Sequence, residues 1–204
     1  MAAPAPIERP ETSTYRTESF SDGVFAVAIT LLVLDLGVGT VRHGELASAL
    51  GREWPHYATF VVSFLTIGII WSNHHAMFER IVRVDRGLVF LNLLLLMTVT
   101  AIPFPTKLLA SFLRAGSDEH VAAAVYSGCL LAMSIAFIVT NVWSARRGLT
   151  GEWFTADQIR RQLRRASAGL GVYAAAIGLA FASAVVSLLL CGLVALYYAL
   201  PQRV

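Results

Sequence analysis

Apolar residues fill this chain in blocks of about bilayer length, and polar residues gather at the joints between them. The first block, Arg16 to Gly39, opens on Arg16, Ser21 and Asp22 and then admits only Thr30 and Asp35 as polar residues. About twenty apolar residues cross a bilayer as helix, so this block predicts a first span. Tyr57 to Phe78 predicts a second, apolar until Trp71, Asn73, His74 and His75. Leu88 to Leu109 predicts a third, with Asn92 near its start. Near its end, Pro103-Phe104-Pro105 disturbs the last helical turn, which neighbouring protein must then satisfy. Val121 to Trp143 predicts a fourth. Ala166 to Leu200 is apolar for thirty-five residues, too long for one span and enough for two short ones, with the turn expected at Ala182 to Ala184. The fold class expected is therefore all-α: a polytopic membrane protein with six transmembrane helices.

The joints refine the topology. Thr40 to Pro55, Glu79 to Arg86 and Lys107 to His120 read as polar connections, and Ser144 to Arg165 is the longest. Within the last, Thr155 and Gln158 fit a capping box, so a helix is expected to start near Ala156. Arg160, Arg161, Arg164 and Arg165 fall on one side of it, either as a contact for anionic headgroups or as topology anchors that snorkel to the interface. With six spans, one side of the membrane holds twelve arginines, from Arg9 and Arg16 through the second-third and fourth-fifth joints to Arg203. The other side holds four basic residues, Arg42, Arg52, Lys107 and Arg114. That asymmetry places both termini in the cytoplasm, and the membrane expected is the plasma membrane. The expected organisation is a cytoplasmic tail over residues 1–15, a transmembrane domain over 16–201 and a cytoplasmic end over 202–204.

Composition agrees. The chain has 204 residues, 56% of them hydrophobic and 14% charged, with a mean hydropathy of +0.65. A net charge of +3 would suit nucleic acid, but the basic residues sit in short joints where topology explains them, so no nucleic-acid partner is expected. Cys129 and Cys191 each lie inside an apolar run and make no disulfide framework. Met1 to Thr14 has no apolar region and does not read as a signal peptide.

Candidate chemistry is confined to a few polar groups. An acid inside the hydrophobic boundary costs a few kcal/mol unless paired, which singles out Asp22. With about 100° per residue and Asp22 at zero, Gly23, Val27, Thr30, Leu31 and Leu34 form a stripe between about 80° and 180°. Asp22 lies off that stripe, so if the stripe faces a pore, Asp22 faces protein. Trp71, Asn73, His74, His75 and Asn92 lie at about the depth of Arg16, Ser21 and Asp22. Polar groups at one depth in lipid must find one another, so an intrasubunit network centred near Asp22 is expected. A histidine within it could also make it pH-sensitive. His75 and Glu79 share a helix face at i,i+4, but no further ligand stands at motif spacing, so no metal site is expected. Asp35, near the outer end of the first span, either enriches cations at a mouth or is simply solvated. No nucleotide, dinucleotide, metalloprotease or nucleophile-elbow motif occurs, so neither an enzyme nor a cofactor is expected. The potassium-filter sequence TVGYG is missing too.

The pattern RxxxFSD, carried here by Arg16, Phe20, Ser21 and Asp22 and continued by GVFAVAITLLVLDL, resembles the first-helix signature of the transmembrane protein 175 potassium channels. The resemblance implies a potassium-preferring passive channel of the prokaryotic six-helix type. It implies a homotetramer, its central pore lined by the first helices. Val27, Leu31 and Leu34 would form apolar layers that gate by dewetting, and Thr30 would match a position tied to selectivity. Val27 stands where bulkier Ile or Leu is usual in the family, and a smaller side chain widens the constriction. The resemblance also implies that Arg16, Phe20, Ser21 and Asp22, with Asn73, His74, His75 and Asn92, brace the pore helix. The rival expectation is a proton-coupled secondary transporter with Asp22 and His74 or His75 as its relay, though neither a broken helix pair nor an inverted repeat supports it.

Overall fold

The computed structural model describes residues 12–37, 39, 41–114 and 116–199. Most of the expected amino-terminal tail and all of residues 202–204 lie outside them. The described chain is all-helical, and among the described residues the one β pairing is an isolated bridge, Ile81 with Thr150. Helix α1 (Thr12–Leu31) runs on into a 3-10 turn over Leu32–Asp35. Then follow α2 (Leu46–Arg52), α3 (Trp54–Phe78), α4 (Arg86–Ala101), α5 (Pro103–Phe112), α6 (Asp118–Arg146), α7 (Ala156–Ala180) and α8 (Ala184–Ala199). Four stretches are long and apolar enough to cross a membrane: Thr14–Asp35, Trp54–Phe78, Arg86–Phe112 and Asp118–Arg146. The apolar parts of the last two helices, Ser167–Ala180 and Ala184–Tyr198, are shorter. Their break falls at Phe181–Ser183, close to the expected turn.

Polarity is distributed as lipid requires. Phe64, Leu65, Phe90, Leu93 and Met97 face outward, while Thr59, Ser63, Thr66, His74, Asn92, Ser127 and Thr140 are buried. Side-chain hydroxyls stranded in hydrocarbon would cost several kcal/mol each, so they turn inward and pair. Ser63 Oγ lies 2.7 Å from Thr106 Oγ1 and 2.9 Å from Tyr126 OH, joining α3, α5 and α6. Ser127 and Ser187 pair at 3.0 Å between α6 and α8. Where only close packing is needed, small residues serve: Ala28, Ala176, Ala180 and Ala184 are fully buried.

Three expectations need correction. The connection from Thr40 to Pro55 contains the short helix α2, and Pro55 sits in the first turn of α3, where its missing N–H costs nothing. The third span runs past its prolines, but as two helices rather than one with a disturbed last turn: α4 stops at Ala101, Ile102 N–H turns back to Val99 O, and Pro103 starts α5. Lys107 to Phe112, expected in a loop, is thus helical. Thr106 closes the restart through its N–H and hydroxyl, both donated to Ile102 O.

One end of the bundle is clasped through its joints. Asp85 caps α4 by accepting from Leu88 N–H at 2.7 Å, and it also accepts from Trp143 Nε1 at 3.1 Å. These donors hold its carboxyl below the usual carboxylate range, the backbone bond contributing most, with the nearby Arg147 adding to the effect. A Cβ on Gly87 would come within 2.3 Å of the Trp143 ring, so this close approach needs glycine. Val82 N–H donates to Leu149 O and Gly151 N–H to Arg80 O, which pins the α3–α4 joint to the α6–α7 joint. The expected capping box is present: Gln158 N–H donates to Thr155 Oγ1 and Thr155 N–H to Gln158 Oε1, with α7 starting at Ala156.

Candidate pore face and its supporting network

Helix α1 is two-faced. Ser21, Phe25, Ala28 and Leu32 are buried against α3 and α4. Gly23, Val27, Thr30, Leu31 and Leu34 are exposed on the opposite side, Val27 at 57%, Leu31 at 41% and Leu34 at 74%. The stripe drawn on the helical wheel is therefore the face of α1 that its own subunit leaves uncovered. The 3-10 turn modifies it. At three residues per turn, i and i+3 are eclipsed, so Leu34 is drawn into line above Leu31. Thr30 Oγ1 donates to Val27 O at 2.9 Å. Its oxygen keeps lone pairs free to accept.

The polar residues around the start of α1 separate into two groups. The inner one is a directed chain. Ser21 Oγ donates to Thr17 O at 2.8 Å and accepts from Asn92 Nδ2 at 2.9 Å. Asn92 Oδ1 lies 2.8 Å from His74 Nε2. A carboxamide oxygen only accepts, so His74 carries its proton on Nε2. Its Nδ1 is buried with no partner among the described residues, and there a bare lone pair is tolerated better than an orphaned N–H. The ring is held between Phe25, centroid 5.2 Å away, and Phe78 at 4.5 Å. Ser21, Asn92 and His74 are all buried, so this chain bolts α1 to α3 and α4 from within.

The second group is more exposed. Asp22 accepts from Trp71 Nε1 at 2.9 Å. His75 Nδ1 lies 2.8 Å from Glu18 Oε1, and its Nε2 lies 3.7 Å from Glu79. The Trp71 and His75 rings stack at 6.2 Å. So the centre of the buried chain is Ser21 with Asn92, not Asp22, because Ser21 shares the buried face of α1 with Phe25. His74 and His75, about 100° apart, divide between the two groups. Arg16, Phe20 and Asn73 are exposed and take no part in these bonds. No motif spacing marks Glu18 as a partner of His75 or Lys107 as a partner of Asp35. Lys107 Nζ lies 3.0 Å from Asp35, so that acid is ion-paired rather than merely solvated. Among the described residues, no cluster of three or more His, Cys, Asp or Glu side chains has metal-binding geometry.

An all-helical chain with long apolar helices, outward-facing apolar side chains and inward-turned hydroxyls is a polytopic membrane protein. Comparison with known proteins places it more closely. The family described as "Endosomal/lysosomal potassium channel TMEM175" matches residues 16–103. A Streptomyces collinus protein named as a potassium channel is 50% identical over 192 residues, 92% of each chain. A Chamaesiphon minutus protein, also named as a potassium channel, is 42% identical over 207 residues, 97% of this chain and 99% of that one. The crystal structure of a lysosomal potassium-selective channel TMEM175 homolog from Chamaesiphon minutus superposes with a TM-score of 0.83 at 39% identity, covering 92% of this chain and 97% of that one. The chain belongs to the TMEM175 family, a family of ion channels and not of enzymes.

Proposed function

We propose that the chain is one subunit of a passive, potassium-preferring cation channel in the plasma membrane. The observation that carries this reading is the uncovered stripe of α1. Val27, Thr30, Leu31 and Leu34 face away from the subunit, while the buried Ser21–Asn92–His74 chain fixes the helix from behind. One such stripe encloses nothing. Four copies around an axis enclose a narrow pore, and a homotetramer of six-span subunits is the assembly proposed. Its spans are α1, α3, α4 continued by α5, α6, α7 and α8, with residues 1–15 and 202–204 in the cytoplasm. Potassium enters the proposal through the names of the bacterial relatives.

Val27, Leu31 and Leu34 then form apolar layers that an ion passes only by shedding water, and the pore closes by dewetting. Thr30 supplies the hydroxyl nearest those layers. Ser21, Asn92 and His74 act as the buried brace, and Asp22, bonded to Trp71 and turned from the stripe, adds an outer brace with His75 rather than serving as a proton relay.

The test is ion flux from liposomes holding the purified protein, with potassium inside, sodium outside and no proton gradient. A current reversing near the potassium potential is the expected result, and Leu31→Ala and Val27→Ala should raise conductance and weaken selectivity. Flux that appears only with an imposed proton gradient would refute the passive channel. Unchanged currents in both alanine variants would remove those side chains from the constriction.

A further inference from the structure

The arginines at the start of α7 differ from Arg80, Arg83 and Arg147 at the same end of the bundle. Arg80 lies over the Phe154 ring at 4.8 Å. Arg83 donates to Gly148 O at 3.1 Å, and Arg147 pairs with Asp85 and lies over Trp143. Each of these helps to clasp the joints. Arg160, Arg161 and Arg164 are exposed and make no ion pair or hydrogen bond among the described residues, although Asp157 stands one turn before Arg161. The side chain of Arg165 lies outside the described part.

Their depth follows from the helix. His120 Nδ1 lies 2.7 Å from Ala180 O, which sets the carboxyl end of α7 level with the charged start of α6, at Asp118 and Glu119. At about 1.5 Å per residue, Arg164 stands about 24 Å from that level and Arg160 about 30 Å. A hydrocarbon core is about 30 Å thick, so the three guanidinium groups reach the opposite headgroup layer. The apolar part of α7, Ser167–Ala180, is too short to carry them beyond it. Trp153, exposed just ahead of the helix, has the amphipathic ring that favours this layer.

We propose that Arg160, Arg161 and Arg164 form a docking surface for anionic phospholipid headgroups, bound through bidentate guanidinium–phosphate contacts. Zwitterionic lipid offers the same phosphate with a compensating ammonium and is held less well. The proposal rests on α7 lying in the membrane, as in the six-span reading, and not on which ion permeates.

The test is native mass spectrometry of the intact wild-type assembly equilibrated with equal amounts of phosphatidylglycerol and phosphatidylcholine. This measures lipid retention, so it is independent of any flux result. Wild type should retain phosphatidylglycerol preferentially, and each of Arg160→Gln, Arg161→Gln and Arg164→Gln should lower that preference about fivefold. The pair Arg86→Gln and Arg146→Gln, exposed at the same end, should leave it unchanged. Equal retention of both lipids by wild type would overturn the proposal. So would an undiminished preference in the α7 variants, or an equal loss in the Arg86/Arg146 pair. The single variants are read separately, so the test survives if the triple variant does not fold.

Discussion

Asn92→Ala tests whether the buried chain, rather than Asp22, holds α1 in place. Asn92 donates to Ser21 at 2.9 Å and accepts from His74 at 2.8 Å, so the substitution removes both arms at once. The consequences are unequal. Ser21 loses a donor but still gives its own proton to Thr17 O. His74 is left with an Nε2–H unpaired beside an Nδ1 that already has no partner, between two phenyl rings. A stranded buried donor costs about 1–3 kcal/mol in soluble interiors, whereas hydrogen bonds between membrane helices average about 0.6 kcal/mol. One stranded donor plus one lost bond therefore comes to about 2 kcal/mol. At about 2–4 °C per kcal/mol for a chain of this size, the melting temperature of the purified assembly should fall by about 4–8 °C. Fluorescence-detected size exclusion after heating measures it. Replacing both partners with apolar groups, as His74→Phe with Asn92→Leu, should cost less than the sum of the single changes, because no donor is then stranded. An Asn92→Ala protein that melts like wild type, or a strictly additive double variant, would refute the reasoning.

Two further predictions concern the clasp at the α4 and α6 ends. Gly87→Ala puts a methyl group 2.3 Å from the Trp143 ring and should push its indole off Asp85. Overpacking of this kind costs about 1–3 kcal/mol, seen as a lower melting temperature, and an unchanged value would show that the ring has room to move. Asp85 has a folded-state pKa below its ordinary value, so its contribution to stability is present above the unfolded pKa of about 3.9 and is lost as pH falls through the folded value. Wild type should therefore lose more stability than Asp85→Asn on acidification below about pH 4. Parallel pH–melting curves for the two proteins would remove Asp85 from the clasp.

Several features could be read from local spacing alone. The capping box at Thr155 and Gln158 needs only residues three apart, and it forms as spaced. The bare stripe of α1 follows from the 3.6-residue period, since Val27, Thr30 and Leu31 occupy one arc whatever lies behind them. Local spacing does not give the restart of α4 as α5, because Pro103 ends one hydrogen-bond ladder and favours the first turn of the next, and sequence does not say which effect prevails. Leu34 was placed by α-helical geometry, and only the 3-10 turn sets it over Leu31.

The sequence by itself determined that the chain is a set of apolar helices, where they begin and end to within a few residues, and which polar side chains share a membrane depth. Those properties depend on period and hydropathy, which act over one or two turns. Only the tertiary structure decided partnership. Ser21 rather than Asp22 meets Asn92, His74 and His75 go to different groups, Lys107 reaches Asp35, and Trp143 reaches Asp85. The reason is rotation: a helix turned by one residue, about 100°, exchanges one polar neighbour for another at unchanged depth and nearly unchanged hydropathy. What fixes that rotation is the packing of Phe25, Ala28 and Leu32 against α3 and α4, a contact made across long stretches of chain.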